Sequence, residues 1–187
     1  MAIETQISNM TYERLALTQP DRKWELWDGY PREKPGMTAA HNELAFQLGL
    51  MLGNQLDRSE YRVRIDAGRV HRSASTYFIP DVFVVPTEFM APLLARDDVL
   101  EMYQQPLPLV VEVWSRSTGD YDVGEKLAAY QARGDHEIWL IHPYARTLTA
   151  WRRQPDGTYT EHVYREGLVH PATLPGVAID LAALFAA

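Results

Sequence analysis

Apolar residues recur along the chain at two spacings, and the changes of spacing mark the elements. Over residues 38–56, Leu44, Leu48, Met51, Leu52 and Leu56 fall on one face of a helix. Thr38 stands where an N-cap is needed. His41, three before Leu44 and seven before Leu48, points toward the same stripe, whereas Glu43 lies off it. The spacing predicts a second helix over 122–133, with Val123, Leu127 and Tyr130 as its stripe, Asp122 and Glu125 as a capping arrangement, and Gly134 as its stop. A short helix is expected over 10–17, ended before Pro20.

Other segments follow extended patterns. Trp24-Glu25-Leu26-Trp27-Asp28-Gly29 reads as a strand running into an Asp-Gly turn, with more strand from Tyr30. Residues 61–66 alternate loosely and 68–72 can pair with them. Residues 77–85 read as one strong strand closed by Pro86, and 87–108 as a long, partly helical excursion. Leu109-Val110-Val111-Glu112-Val113-Trp114 is nearly continuous in apolar character, the mark of a central strand buried on both faces. A polar turn over 115–120 leads to the second helix. A buried strand over 137–142 follows, then a hairpin of 147–151 and 158–164 around Pro155-Asp156-Gly157. The apolar tail, 177–185, is expected to pack down. Strand, helix and strand across 109–142 make a crossover unit with a parallel pair, so the fold class is α/β with a mixed sheet.

Bulk properties narrow the function. At 187 residues, the chain suits one domain spanning 1–187. No run approaches the ~18–20 apolar residues of a membrane span. The opening Met1-Ala2-Ile3-Glu4-Thr5-Gln6 lacks the layout of a secretion signal, and with no cysteine a cytoplasmic location is the expectation. The 25 acidic and 18 basic side chains give a net charge of −7, the wrong balance for a sequence-independent nucleic-acid coat. A nuclease is compatible with it, because metal ions compensate an acidic site. Arginines 58, 62, 64, 69 and 72 form a local basic stretch, readable as a phosphate track or as a solvated strand edge.

Three groups stand out as candidate chemistry. Asp81 and Glu112 each sit within an apolar run. A buried, unpartnered carboxylate is costly, and two on neighbouring strands repel each other. A divalent ion between them resolves both problems, and carboxylates, a main-chain carbonyl and waters suit Mg²⁺ or Mn²⁺. Lys126, three after Val123 and four before Tyr130, borders the apolar stripe, so its stem can bring the ammonium toward Glu112. Singly, an Asp after Pro often opens a turn, a strand Glu can pair with a buried cation, and a helical Lys usually faces solvent. The three together are harder to explain that way. His41 is a second-tier candidate, as general base, phosphate contact or satisfied core histidine. Glu25 is another, as a further carboxylate or as a partner for a strand-edge Arg. His71, His136, His162 and His170 show no metal-ligand spacing and read as surface residues.

The ordered set resembles the Uma2 family of restriction-type endonucleases, of the PD-(D/E)XK class. Trp24-Glu25-Leu26-Trp27-Asp28-Gly29, His41, Pro80-Asp81-Val82 and Leu109 through Thr118 carry the likeness, with Lys126-Leu127, Tyr130, Gly134, Glu137-Ile138-Trp139-Leu140-Ile141, Leu174-Pro175-Gly176 and Leu184-Phe185. The resemblance implies a restriction-endonuclease-like mixed sheet flanked by helices, here with a C-terminal β-hairpin. It also implies metal binding by Asp81 and Glu112, assisted by the Val113 carbonyl, and it puts the lysine on the following helix, at Lys126, because Trp114 stands two past the glutamate. Nucleic acid, chiefly DNA, is the implied partner, and a homodimer the implied assembly. Two departures, Arg116 for a proline and His142-Pro143 for Asp-Pro, leave the proposed ligands untouched; His142 can instead modify the rim. The expected function is metal-dependent phosphodiester hydrolysis. The alternative is a catalytically idle module of the same fold that binds nucleic acid or protein, and a weaker one is an assembly protein using the aromatic hairpin.

Overall fold

The computed structural model describes residues 5–117 and 122–186. The expected turn through Thr118, Gly119 and Asp120, the opening four residues, and the side chains of Asp122 and Val123 lie outside the described residues.

Two sheets organise the chain. The larger has six strands in the order β11-β10-β9-β8-β6-β3, formed by β3 (Tyr61–Ile65), β6 (Val82–Pro86), β8 (Leu109–Val113), β9 (Glu137–His142), β10 (Thr147–Arg153) and β11 (Tyr159–Tyr164). β8 runs parallel to β9 and antiparallel to β6, so the sheet is mixed, as the crossover argument requires. The smaller sheet has the order β2-β1-β5-β4-β7, from β1 (Trp24–Trp27), β2 (Tyr30–Glu33), β4 (Arg69–Ser73), β5 (Thr76–Phe78) and β7 (Met102–Tyr103). β12 (Leu168–Val169) and β13 (Ile179–Asp180) make a two-stranded ribbon that holds the tail.

Helices α1 (Asn9–Thr18) and α2 (Ala39–Gln55) form where the periodicity puts them, and Thr38 caps α2 by accepting the His41 N–H. Leu44, Ala45, Leu48 and Leu52 of α2 pack on Val82, Val84, Val111, Val113, Trp139 and Ile141, which cover one face of the large sheet. A methyl group at Gly49 would run into Ile65, so glycine there lets α2 lie close to β3. α3 (Thr87–Leu94) follows β6. α4 (Leu127–Arg133) covers the opposite sheet face, with Ala129 and Tyr130 among Phe83, Val110 and Ile138. Gly134, in the left-handed region at φ 81°, ends it as expected. The tail ends in α5 (Leu181–Leu184), with Leu181 and Leu184 buried.

Three expectations need correction. Residues 61–65 and 69–73 do not pair with each other: β3 joins β6 at the edge of the larger sheet, and β4 joins β5 and β7 in the smaller one. The second helix does not start as an α-helix: Asp122–Lys126 form a π-helical turn, and the α-helix begins at Leu127. The run 77–85 is not one strand. It breaks after Phe78, and β6 begins at Val82. Proline at position 80 has no N–H for a ladder, which favours the break. The chain leaves the smaller sheet through β5 and enters the larger through β6, so Asp81 stands at the seam between sheets, not inside a strand.

Candidate active site

That seam is where separate segments bring their charges together. β6 and β8 pair Val82 with Val111, and one step further along this register brings Asp81 opposite Glu112. The contact is direct on the backbone: the Val113 N–H donates to Asp81 Oδ2 at 2.7 Å. Glu25, on β1, reaches the seam from the smaller sheet and accepts the Ile79 N–H on Oε1 at 2.9 Å. Lys126, in the π-turn, sends its ammonium to Glu25 Oε1 at 3.2 Å and Glu112 Oε1 at 3.3 Å. π-turns recur at functional sites because they re-aim a side chain within a helix. Glu25, Asp81, Glu112 and Lys126 are all buried and all line one cleft of about 320 Å³, with Arg32, Met37 and Ser117 also on its walls.

His41 and Val113 enter differently. His41 Nε2 lies 3.0 Å from Asp81 Oδ2, and its buried ring meets the site through that carboxylate instead of facing the cleft. Two groups thus fix one oxygen of Asp81, the His41 imidazole and the Val113 amide. Glu25 finds an ammonium and not the strand-edge arginine that was its other reading.

Two further side chains complete the site, and neither was a candidate ligand or catalytic group in the sequence. Lys34, just past β2, places its ammonium 2.7 Å from Asp81 Oδ1, 2.9 Å from Asp66 Oδ1 and 2.9 Å from the Ile79 carbonyl. Its side chain is 4% exposed. Tyr130 donates its hydroxyl to Glu112 Oε1 while its ring packs edge-on to Phe78. Only the aromatic stripe was visible in the sequence for Tyr130. Lys34 follows β2 among charged residues, where nothing marks it as buried.

Electrostatics follow the contacts. Burial pushes the Asp81 carboxyl up, but the Lys34 charge and the His41 hydrogen bond outweigh it and hold it well below the usual carboxylate range. Burial pulls the Lys34 ammonium down, and Asp81 more than compensates, leaving it above its ordinary value. His41 is likewise raised, burial being outweighed by the hydrogen bond to Asp81.

Two arginines of the basic stretch are tied into the fold, while Arg58 and Arg72 are exposed. Arg64 makes a two-pronged pair with Glu101 at 2.7 and 2.6 Å, and Arg69 donates to the Tyr12 hydroxyl at 2.9 Å. His71 is not a plain surface residue: its ring stacks on Tyr77 at 4.7 Å, while His136, His162 and His170 are exposed. His142 stacks on Trp114 at 4.2 Å.

The donor set suits a hard cation. Four carboxylates (Glu25, Glu33, Asp81 and Glu112) line the cleft with two ammoniums and the Arg32 guanidinium, an excess of one negative group, and the candidate side-chain ligands are all oxygen. Among the described residues, no three His, Asp or Glu side chains form a closed metal shell. A cation here would rest on one or two carboxylates completed by other oxygens, the arrangement Mg²⁺ favours.

Known proteins add the following. A family model described as "Putative restriction endonuclease", Uma2, matches residues 10–182. A crystal structure of a "putative nuclease belonging to DUF820" from Anabaena variabilis superposes with a TM-score of 0.76 over 96% of this chain and 98% of that one, at 17% identity. At that identity the likeness is one of fold. No curated protein matches the chain. Among the described residues, no helix is long and apolar enough to cross a membrane.

Proposed function

Because the chain belongs to the Uma2 restriction-endonuclease family, we propose that its cleft hydrolyses phosphodiester bonds of DNA with a divalent cation, Mg²⁺ or Mn²⁺. Asp81 and Glu112 would hold the ion with the Val113 carbonyl, and Glu25 would stand beside it as a further carboxylate. The observation that carries this reading is the convergence of Glu25, Asp81, Glu112 and Lys126 on one cleft.

When bound, such an ion polarises the phosphoryl oxygen and makes water acidic enough to attack at neutral pH. The residues do the rest. Lys126, held by two carboxylates, orients the attacking water and faces the charge that grows on the phosphate. The His41 ring and the Val113 amide lock the Asp81 carboxylate in one orientation, so no rotamer freedom is lost when it binds. Tyr130 and Lys126 hold Oε1 of Glu112 in the same way. We further take two copies of the chain as the acting unit, which sedimentation of the protein checks.

The test combines calorimetry with plasmid cleavage. Asp81→Ala should lose Mn²⁺ binding and all cleavage, while Lys126→Ala should keep the ion and lose cleavage. Undiminished Mn²⁺ affinity in Asp81→Ala would overturn the assignment. DNA binding by the wild type with no cleavage at any Mg²⁺ or Mn²⁺ concentration would favour the idle binding module.

A further inference from the structure

We propose that Lys34 is the resident counter-cation of the metal subsite, so that a divalent ion reaches Asp81 by exchange with an ammonium and not by simple addition. This rests on the metal-dependent reading above. The Lys34 ammonium has three donors and meets three acceptors: Asp81 Oδ1, Asp66 Oδ1 and the Ile79 carbonyl, all within 2.9 Å. Two carboxylates and one main-chain carbonyl are the ligand types a hard divalent ion takes. Here a single charge, carried on a four-carbon stem, fills that role.

The surrounding structure maintains this arrangement. Asp66 has φ 49°, a conformation that Asp tolerates better than most residues, and its N–H donates to the Asp81 carbonyl at 2.8 Å. The two acids are therefore fixed side by side through the backbone. Lys23 also pairs with Asp66, which is 35% exposed at the edge of the cluster. With Asp81 Oδ2 held by His41 and Val113, Oδ1 is the oxygen left for an incoming ion, and Lys34 occupies it.

Exchange has a definite course. When an ion takes Oδ1, Lys34 gives up one hydrogen bond and keeps those to Asp66 and the Ile79 carbonyl. Its third N–H then turns into the cleft, which Lys34 already lines, toward the position of a substrate phosphate. The metal-free protein keeps a neutralised Asp81 and folds without the ion, at the cost of weaker ion binding.

The test is Mn²⁺ calorimetry and thermal melting of wild type, Lys34→Met and Lys34→Gln, without nucleic acid. Removing a competing charge a few ångströms from the ion should tighten Mn²⁺ binding about tenfold or more. The metal-free melting temperature should fall, and Mn²⁺ should raise it by more than in the wild type. Gln keeps N–H donors for Asp66 and the Ile79 carbonyl, so it is read if the Met variant fails to fold. Should neither fold metal-free, rescue by Mn²⁺ supports exchange, and failure of rescue overturns it. A purely structural lysine predicts unchanged or weaker Mn²⁺ binding, and that result would also overturn it. Wild type that binds no Mn²⁺ sinks the nuclease reading itself, whereas unaltered affinity in the variants sinks the Lys34 inference alone.

Discussion

The chain buries two sets of acids, and they are built oppositely. At the cleft, Glu25, Asp81 and Glu112 share two lysine ammoniums. At the other end of the parallel β8–β9 pair, Asp135 and Glu137 are fully buried and tied to backbone amides, an indole and arginines. Asp135 accepts the Leu107 N–H at 2.8 Å and the Arg133 Nε at 2.9 Å, while the Arg133 guanidinium also binds main-chain carbonyls of His71, Tyr103 and Gln105. Glu137 takes the Trp139 indole N–H at 2.7 Å, the Ala172 N–H at 2.7 Å and Arg152 at 3.1 Å. These acids fasten a loop, a helix end and a strand to one another. Burial of a carboxylate is common to both sets; a cleft beside it and lysine counter-charges belong to one.

The contrast predicts a division of phenotypes. The largest effect should come from Glu112→Gln, which should cut DNA cleavage by about a thousandfold or more with little change in the denaturation midpoint. A variant that cut normally would move Glu112 into the structural set. Next, Glu137→Ala should cost about 3–5 kcal/mol in denaturant unfolding, since it strands Arg152 and two N–H donors, while Mn²⁺ affinity of the folded fraction holds. Loss of Mn²⁺ binding at full stability would erase the distinction. Glu25→Gln should be milder, weakening Mn²⁺ several-fold by calorimetry, because Lys126 keeps Glu112; an effect as large as that of Asp81→Ala would make Glu25 a principal ligand.

The smallest effect is one of pH. Burial raises Asp135 above the usual carboxylate value, in spite of Arg133, whereas Asp81 is lowered. With its folded value above the unfolded one, Asp135 contributes stability that is complete below about pH 4 and lost as pH rises through the raised value. The stability advantage of wild type over Asp135→Asn should therefore shrink as pH climbs from about 4, measured by urea denaturation. A gap that widened would reverse the assigned direction.

Much of this was legible in the sequence. The α2 stripe, the apolar β8 run with its one glutamate, the Gly134 stop and the order Asp81, Glu112, Lys126 follow from local spacing. What was hidden depends on tertiary neighbours. Lys34 and Asp66 lie just past the ends of β2 and β3, with no period to betray their place in the cluster. The Tyr130 hydroxyl and the π-turn that aims Lys126 have no linear signature. Pro80 divides a run whose apolar character reads as continuous. Glu137 opens a strand much as Glu112 nearly closes one, and only coordinates tell the fastener from the cleft acid.

The spread of the charged cluster along the chain constrains how the protein can be made. Its members lie between positions 25 and 130, on segments that meet only when both sheets have docked. Acids buried without partners are expensive, and contacts this distant in sequence form late because long loops must close first. A nascent chain that stops short of Lys126 would leave Glu25 and Glu112 without their shared ammonium. Chains truncated before Lys126 should therefore stay open to proteases.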